Sequence, residues 1–317
     1  MAGTAQGIAQ TMWAIRLHAP DGPSALAFER IETPHAGAGE ALVRVHAAAI
    51  TRDELGWPTD RLPATPSYEL SGVVSAVAPD AEAVSVGEPV WALTRFDRDG
   101  AAAEYIVVAA GLLAPKPRTL DHEASAAVPL AALSAWQGLF DHGGLEEGQR
   151  VLIHGAAGGV GHLATQLAHR RGASVIGTAS AASLEAARSF GADEVIDPAE
   201  VRFEGSVEPV DLVFDTVGGE LLERSPAVIR PGGRLVSVAE EPPRIAPERG
   251  IDATYFVVGP NREQLVELGR LIDKGDLRPA IDSVFPLSDA RAAFERSLAS
   301  GKHGKVVLRV VGGVPDA

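Results

Sequence analysis

Residues 150–161, Arg-Val-Leu-Ile-His-Gly-Ala-Ala-Gly-Gly-Val-Gly, constrain this chain more than any other stretch. The apolar run Val151 to Ile153 reads as a buried parallel strand. It breaks into a turn of small residues, and an amphipathic helix follows with Leu163, Ala164, Leu167 and Ala168 on one face. A glycine-rich turn in that strand–turn–helix setting is the fingerprint of a dinucleotide diphosphate site. Ala156 takes the first glycine position, Gly158 lets the backbone approach the phosphates, and Gly161 lets helix and strand pack closely. Backbone N–H groups of Gly159, Val160 and Gly161 open the helix and offer partial positive charge to the anion.

The end of the next strand selects the nucleotide. Ser174 to Gly177 reads as that strand, followed by Thr178-Ala179-Ser180. An NAD site places Asp or Glu there to accept the ribose hydroxyl protons. Here no acid is present, and a serine can donate to a 2′-phosphate that a carboxylate would repel. The expected cofactor is therefore NADPH, with Thr178 and Ser180 at the adenosine ribose. The plainer role for Ser180 is to cap the helix that starts near Leu184. No Lys or Arg lies between Ala179 and Ala187, so a cation for the 2′-phosphate comes from Arg188, from elsewhere, or not at all.

The chain has 317 residues, enough for two domains, since one core seldom grows beyond about 250–300 residues. With 46% hydrophobic and 22% charged residues, it reads as a soluble globular protein. A formal net charge of -14 disfavours nucleic acid and anionic membrane as partners, because both require a basic patch. No apolar run is long enough to cross a bilayer, and Met1 to Thr11 reads as a frayed tail without a signal-peptide pattern. Cysteine is absent, which excludes disulfides and thiolate chemistry and fits a cytoplasmic location. The histidines show no compact ligand spacing, so no metal site is expected; His154, His162 and His169 read as strand-end or helix-surface residues.

Residues 12–120 read mainly as strands: Trp13 to Leu17, Ala41 to Ala47, Gly72 to Val77, Pro89 to Ala92 and Ala103 to Val108. From about residue 123, strands alternate with helices, at 151–153, 174–177, 194–196, 211–214, 234–238 and 253–258. Such alternation predicts a parallel sheet covered on both faces, an α/β domain. A helix from Arg262 to Lys274, another from Ser288 to Ser300, and a last strand from Lys305 to Val310 complete the chain.

Several motifs together resemble the medium-chain dehydrogenase/reductase superfamily, in its zinc-independent quinone oxidoreductase (zeta-crystallin-like) branch. They are Ala126 to Trp136 (AAVPLAALSAW), the fingerprint at 154–161, Gly191 to Asp197 (GADEVID), Asp215 to Gly219 (DTVGG), Pro231 to Arg234 (PGGR) and Gly304 to Leu308 (GKVVL). The resemblance covers nearly the whole chain. It implies a GroES-like β-rich catalytic domain, discontinuous over 12–122 and 261–317, and a Rossmann-type doubly wound domain over 123–260. It also implies a homodimer, with the strand around Asp252 to Val258 available for pairing with its copy.

The zinc enzymes of that superfamily hold their metal through a Cys, a His in Gly-His-Glu-x-x-Gly, and a third ligand. Here Thr51 and Tyr68 stand at the first two positions, and neither replaces a thiolate or an imidazole around zinc. The resemblance therefore implies hydride transfer from NADPH, without a metal, to an acceptor that already stabilises negative charge: a quinone, or an α,β-unsaturated carbonyl (enone) as in an enoyl or 2-alkenal reductase of a biosynthetic pathway. A third reading is a nucleotide-binding protein without turnover. The nicotinamide is expected against backbone near Leu133 and Ser134, Val217-Gly218, and Phe256-Val257-Val258, with Lys305 helping to close the cofactor site. The usual Asn-Pro-x-Asp is altered to Thr51-Arg52-Asp53-Glu54, which makes Thr51, Arg52 and Asp53 the loop of interest. Thr51, Asp53 and Tyr68 are the catalytic candidates, and Arg52 and Trp57 are expected in the acceptor pocket. Glu69 is expected to hold its loop through backbone hydrogen bonds.

Overall fold

The computed structural model describes residues 7–57, 60–245 and 249–312. The chain divides into two compact units: Met1–Leu130 with Gly259–Gly275 and Pro279–Ala317, and Ala131–Val258 with Asp276–Arg278. The break falls at Leu130, later than the expected 122/123. The cause is local. Helix α1 (His122–Ala126) buries Ala126, with Ala127, against Ala47, Ala49 and Val307 of the first unit.

In the first unit, β1 (Thr11–Leu17) and β2 (Leu26–Glu32) form an antiparallel ribbon. They precede β3 (Glu40–Ile50), β4 (Glu69–Val77), β5 (Pro89–Leu93), β6 (Tyr105–Ala109) and the short β7 (Ala114–Pro115). After α1, helix α2 (Pro129–Trp136) carries the chain into the second unit, and Gln137–His142 continues it with π-helical turns. Gly138 lies in that π segment because the Phe214 ring occupies the space a Cβ would need.

The second unit is a six-stranded sheet. Its elements are β8 (Arg150–His154), α3 (Gly161–Arg170), β9 (Ser174–Thr178), α4 (Leu184–Ser189), β10 (Glu194–Ile196), β11 (Val210–Asp215), α5 (Gly219–Arg224), β12 (Ile229–Ser237) and β13 (Asp252–Tyr255). The spatial order is β10-β9-β8-β11-β12-β13, and every neighbouring pair is parallel. Counted from β8, that is the doubly wound dinucleotide-binding order, with its switch point at the β8/β11 boundary. The predicted strand at 253–258 ends at Tyr255, and Phe256, Val257 and Val258 follow it outside the strand, with the Phe256 N–H still donating to the Ser237 carbonyl.

The chain then returns to the first unit through α6 (Arg262–Asp273), β14 (Ile281–Pro286), α7 (Ala290–Leu298) and β15 (Lys305–Arg309). These complete a sheet ordered β14-β15-β3-β4-β5-β7, with β6 also on β3. Antiparallel pairing sets Val306 opposite Ile50 and Ala49 opposite Glu69. Register alone therefore brings Thr51, Glu69 and Lys305 to one end of the sheet.

Candidate active site

In the second unit, the turn after β8 has the geometry of a diphosphate cradle. Gly155 adopts φ +73, a left-handed conformation in which a Cβ would also press on Thr216 and Val217. A Cβ on Gly161 would run into the Gly155 carbonyl, so close packing of helix on turn requires glycine there. A Cβ on Gly158 would come within 3.1 Å of the Gly155 oxygen, a far milder approach than at Gly161. Helix α3 starts with Val160 as N-cap and no side-chain cap. Among the described residues, no protein acceptor takes the N–H groups of Gly159, Val160 and Gly161. Those donors at a helix start fit a diphosphate. The predicted apolar face is buried, and it carries His162 and Thr165 as well. Thr165 Oγ1 donates to the Ala156 carbonyl at 3.1 Å, which ties the helix to its own turn.

A buried hydrogen-bond chain sets the entry of this turn. Ser225 Oγ donates to the Leu221 carbonyl, so it accepts from His154 Nε2 at 2.9 Å. That leaves His154 Nδ1 to accept from the Thr178 hydroxyl at 3.1 Å, and Thr178 Oγ1 accepts the Gly155 N–H at 3.3 Å. Burial holds the His154 imidazole down to about 3, so it is neutral. Thr178 thus orients the start of the turn from the neighbouring strand. Ser180 caps nothing with its side chain; its hydroxyl meets Ser183 Oγ at 3.1 Å. Arg188 is exposed in the last turn of α4, at the opposite end of that helix from Ser180.

Asp215 ends β11 fully buried. Its carboxylate accepts from the Val217 and Gly218 amides and from Ser237 Oγ at 2.8 Å. It shapes the turn there, with Gly218 at φ +77. Val217 and Val257 follow β11 and β13 and are 52% and 64% exposed, an apolar pair at the carboxyl edge of the sheet. Phe256, Val258 and Ser134 are buried.

In the first unit, Lys305 is 5% exposed, and its ammonium lies inside the protein rather than at a loop surface. Nζ pairs with Glu69 Oε1 at 2.5 Å and donates to Thr51 Oγ1 at 3.1 Å. Glu69 is fully buried, and its other oxygen accepts the Leu130 N–H at 2.8 Å, so it holds both a backbone amide and the ammonium. Glu54, which the sequence did not single out, is also fully buried. Its Oε1 accepts from Ser67 N at 3.2 Å, and its Oε2 has no partner. Burial pushes its carboxyl up to about 8, only partly offset by Lys305, so at neutral pH it is an acid. Ser67, which contacts it, has φ 67, backbone strain that a non-glycine residue rarely holds.

Tyr68 is fully buried and its phenol accepts from Arg61 Nη2 at 2.9 Å; burial pushes it up to about 12. Trp57 packs on Tyr68 and Phe96, with ring centroids 5.6 and 5.1 Å away, and remains 38% exposed. Arg52 and Asp53 are exposed, and with Pro20, Pro23, Leu55 and Leu298 they line a shallow cavity of about 210 Å3. Thr51, Glu69 and Lys305 are therefore in contact. Arg52 and Asp53 face a separate depression. The described residues contain no group of three or more His, Cys, Asp or Glu placed to hold a metal ion, and no helix among them is long and apolar enough to cross a membrane.

The chain matches two family models, the alcohol dehydrogenase GroES-like domain over residues 37–118 and the zinc-binding dehydrogenase over residues 190–308. It is 34% identical to an NADPH-dependent alkenal/one oxidoreductase of Arabidopsis thaliana, over 88% of this chain and 74% of that protein. It is 31% identical to a mitochondrial protein of Arthroderma benhamiae named a probable zinc-binding oxidoreductase, over 88% and 90% of the two chains. The solved structure of a quinone oxidoreductase from Coxiella burnetii superposes with a TM-score of 0.87 at 31% identity, over 95% of this chain and 99% of that one. The chain belongs to the medium-chain dehydrogenase/reductase superfamily. It is accordingly an oxidoreductase with a nicotinamide cofactor, built from a GroES-like domain and a Rossmann domain.

Proposed function

We propose that this protein is a zinc-independent, NADPH-dependent reductase of quinones or related activated acceptors. The observation that carries the reading is the open cradle at 155–161 followed by Thr178-Ala179-Ser180, with no acid where an NAD site needs one. Thr51 and Tyr68 at the positions of a zinc site support metal-free chemistry. Gly159, Val160 and Gly161 hold the cofactor diphosphate, and Ser180 meets the ribose and its 2′-phosphate, while Thr178, expected there from the sequence, is buried with its hydroxyl hydrogen given to His154 and serves to orient the turn. Ser134, Val217, Phe256, Val257 and Val258 serve the nicotinamide. When bound, NADPH supplies a hydride.

The chain's own groups position the acceptor and bear the charge that forms on its oxygen. With an enone, hydride from bound NADPH would reach the β-carbon, the C=C electron pair would move onto the carbonyl oxygen, and a proton from water would complete the saturated carbonyl, so that one NADPH and one proton would be used for each acceptor reduced. Thr51 donates a hydrogen bond to that oxygen. Trp57 covers a planar acceptor, while Tyr68 stays buried beneath it as support. Arg52 and Asp53 face their separate depression and take no part in this step.

Alkenal reduction is the second reading, supported by the Arabidopsis relative. A steady-state screen of NADPH oxidation with quinones, enones and enoyl thioesters separates the two. Turnover with quinones is expected, and silence toward every electron-poor acceptor would contradict both. In the same assay, Ala179→Asp is expected to shift preference at least tenfold toward NADH. Two further parts of the proposal are a cytoplasmic location and a homodimer. Among the described residues the edge strand β13 pairs with β12 alone, and it offers its other side to a second copy.

A further inference from the structure

We propose that Lys305 is a positioning residue, whose buried ammonium fixes the Thr51 hydroxyl so that its hydrogen is presented to the acceptor's carbonyl oxygen. An ammonium has three hydrogens and no lone pair, so in the 3.1 Å contact Thr51 Oγ1 must be the acceptor. The hydroxyl's own hydrogen then points elsewhere. Among the described residues no protein group accepts it. Thr51 is partly exposed while Lys305 is 5% exposed, so the cation stands behind the hydroxyl and the free hydrogen lies on the open side.

The arrangement is rigid from the inside outward. The Leu130 amide holds Glu69, Glu69 holds Lys305, and Lys305 holds Thr51. Among the described residues Glu69 is the carboxylate paired with the ammonium, while Glu54 lies in the same buried cluster as a neutral acid. A hydroxyl that accepts from a cation is polarised and becomes a stronger donor. A donor fixed before reaction stabilises the oxygen as hydride charge reaches it, without a reorganisation cost. The assignment rests on the proposed reduction of a carbonyl-conjugated acceptor.

The test uses the full chain, NADPH and the enone or quinone that the wild type turns over fastest. Thr51→Val is expected to lower kcat about 10–100-fold, with the NADPH Kd unchanged, and Thr51→Ser is expected to restore it. Lys305→Met should lower kcat by a similar factor, and the double variant Thr51→Val/Lys305→Met should be no slower than either single one. If Lys305→Met fails to fold because Glu69 is left unpaired, Lys305→Met/Glu69→Gln takes its place in the cycle. A Thr51→Val enzyme within twofold of wild type, or losses that multiply in the double variant, would overturn the assignment while the reductase reading stands. A wild type inert to every carbonyl acceptor removes the reading and the assignment together.

Discussion

Glu54 and His154 show how single buried groups give this protein its pH response. The Glu54 carboxyl rises from an ordinary 4.5 to about 8, so between those values the folded chain keeps a proton that the unfolded chain has released. Stability therefore falls as pH rises through that window. His154 acts with the opposite sense. Its imidazole is held down to about 3 from an ordinary 6.5, so the unfolded chain takes up a proton that the folded one refuses. Stability is lost as pH falls below 6.5, and His122, held down to about 4 by burial and by His46, adds to the loss. These groups set a stability maximum near pH 6.5. Glu54→Gln is expected to stabilise the protein by about 2–4 kcal/mol more at pH 8 than at pH 5. Urea unfolding of both proteins at the two pH values reads this directly, and an equal difference at both would contradict it.

At the scale of elements, two glycines of one turn are required for different reasons, and substitution separates them. Gly161 lies against the Gly155 carbonyl, so Gly161→Ala is expected to cost about 1–3 kcal/mol of stability through forced separation of helix and turn. A Cβ on Gly158 would lie 3.1 Å from the Gly155 oxygen, where one on Gly161 would run into it, so Gly158→Ala is expected to cost less stability than Gly161→Ala yet bind NADPH at least tenfold more weakly. Thermal melts with and without NADPH test both; a loss of melting temperature in Gly158→Ala as large as in Gly161→Ala would refute the distinction. The strand–turn–helix at 150–170 was legible because its period and its small residues depend only on local sequence. The same holds for the alternating strands β8 to β13. β2, β7 and β14 were not legible. β2 and β14 carry Glu, or Asp and Ser, among their apolar residues, β14 ends in Pro at a sheet edge, and β7 has only two residues. The Thr51–Lys305–Glu69 contact was invisible for a different reason. It joins positions 254 residues apart through antiparallel register, which no local period encodes. Glu54 gave one weak signal, an acid directly before Leu55-Gly56-Trp57, and it was masked by the charged Arg52 and Asp53 that precede it.

For the molecule as a whole, the formal net charge of -14 and the superfamily's cofactor chemistry point to a small-molecule acceptor. The free edge of β13 predicts a dimer in solution. Light scattering at micromolar concentration is expected to return twice the chain mass of 32.9 kDa, and Ala253→Pro, which removes an N–H from the free side of β13, should return the monomer. A monomeric wild type would contradict that assembly. The proposed reductase activity depends on the open cradle after β8 accepting a pyridine dinucleotide and preferring the 2′-phosphorylated form. Calorimetric titration of the full chain with NADPH and then NADH tests this most directly. One NADPH per chain, bound at least tenfold more tightly than NADH, is the predicted result; no binding heat from either nucleotide, or tighter binding of NADH, would contradict it.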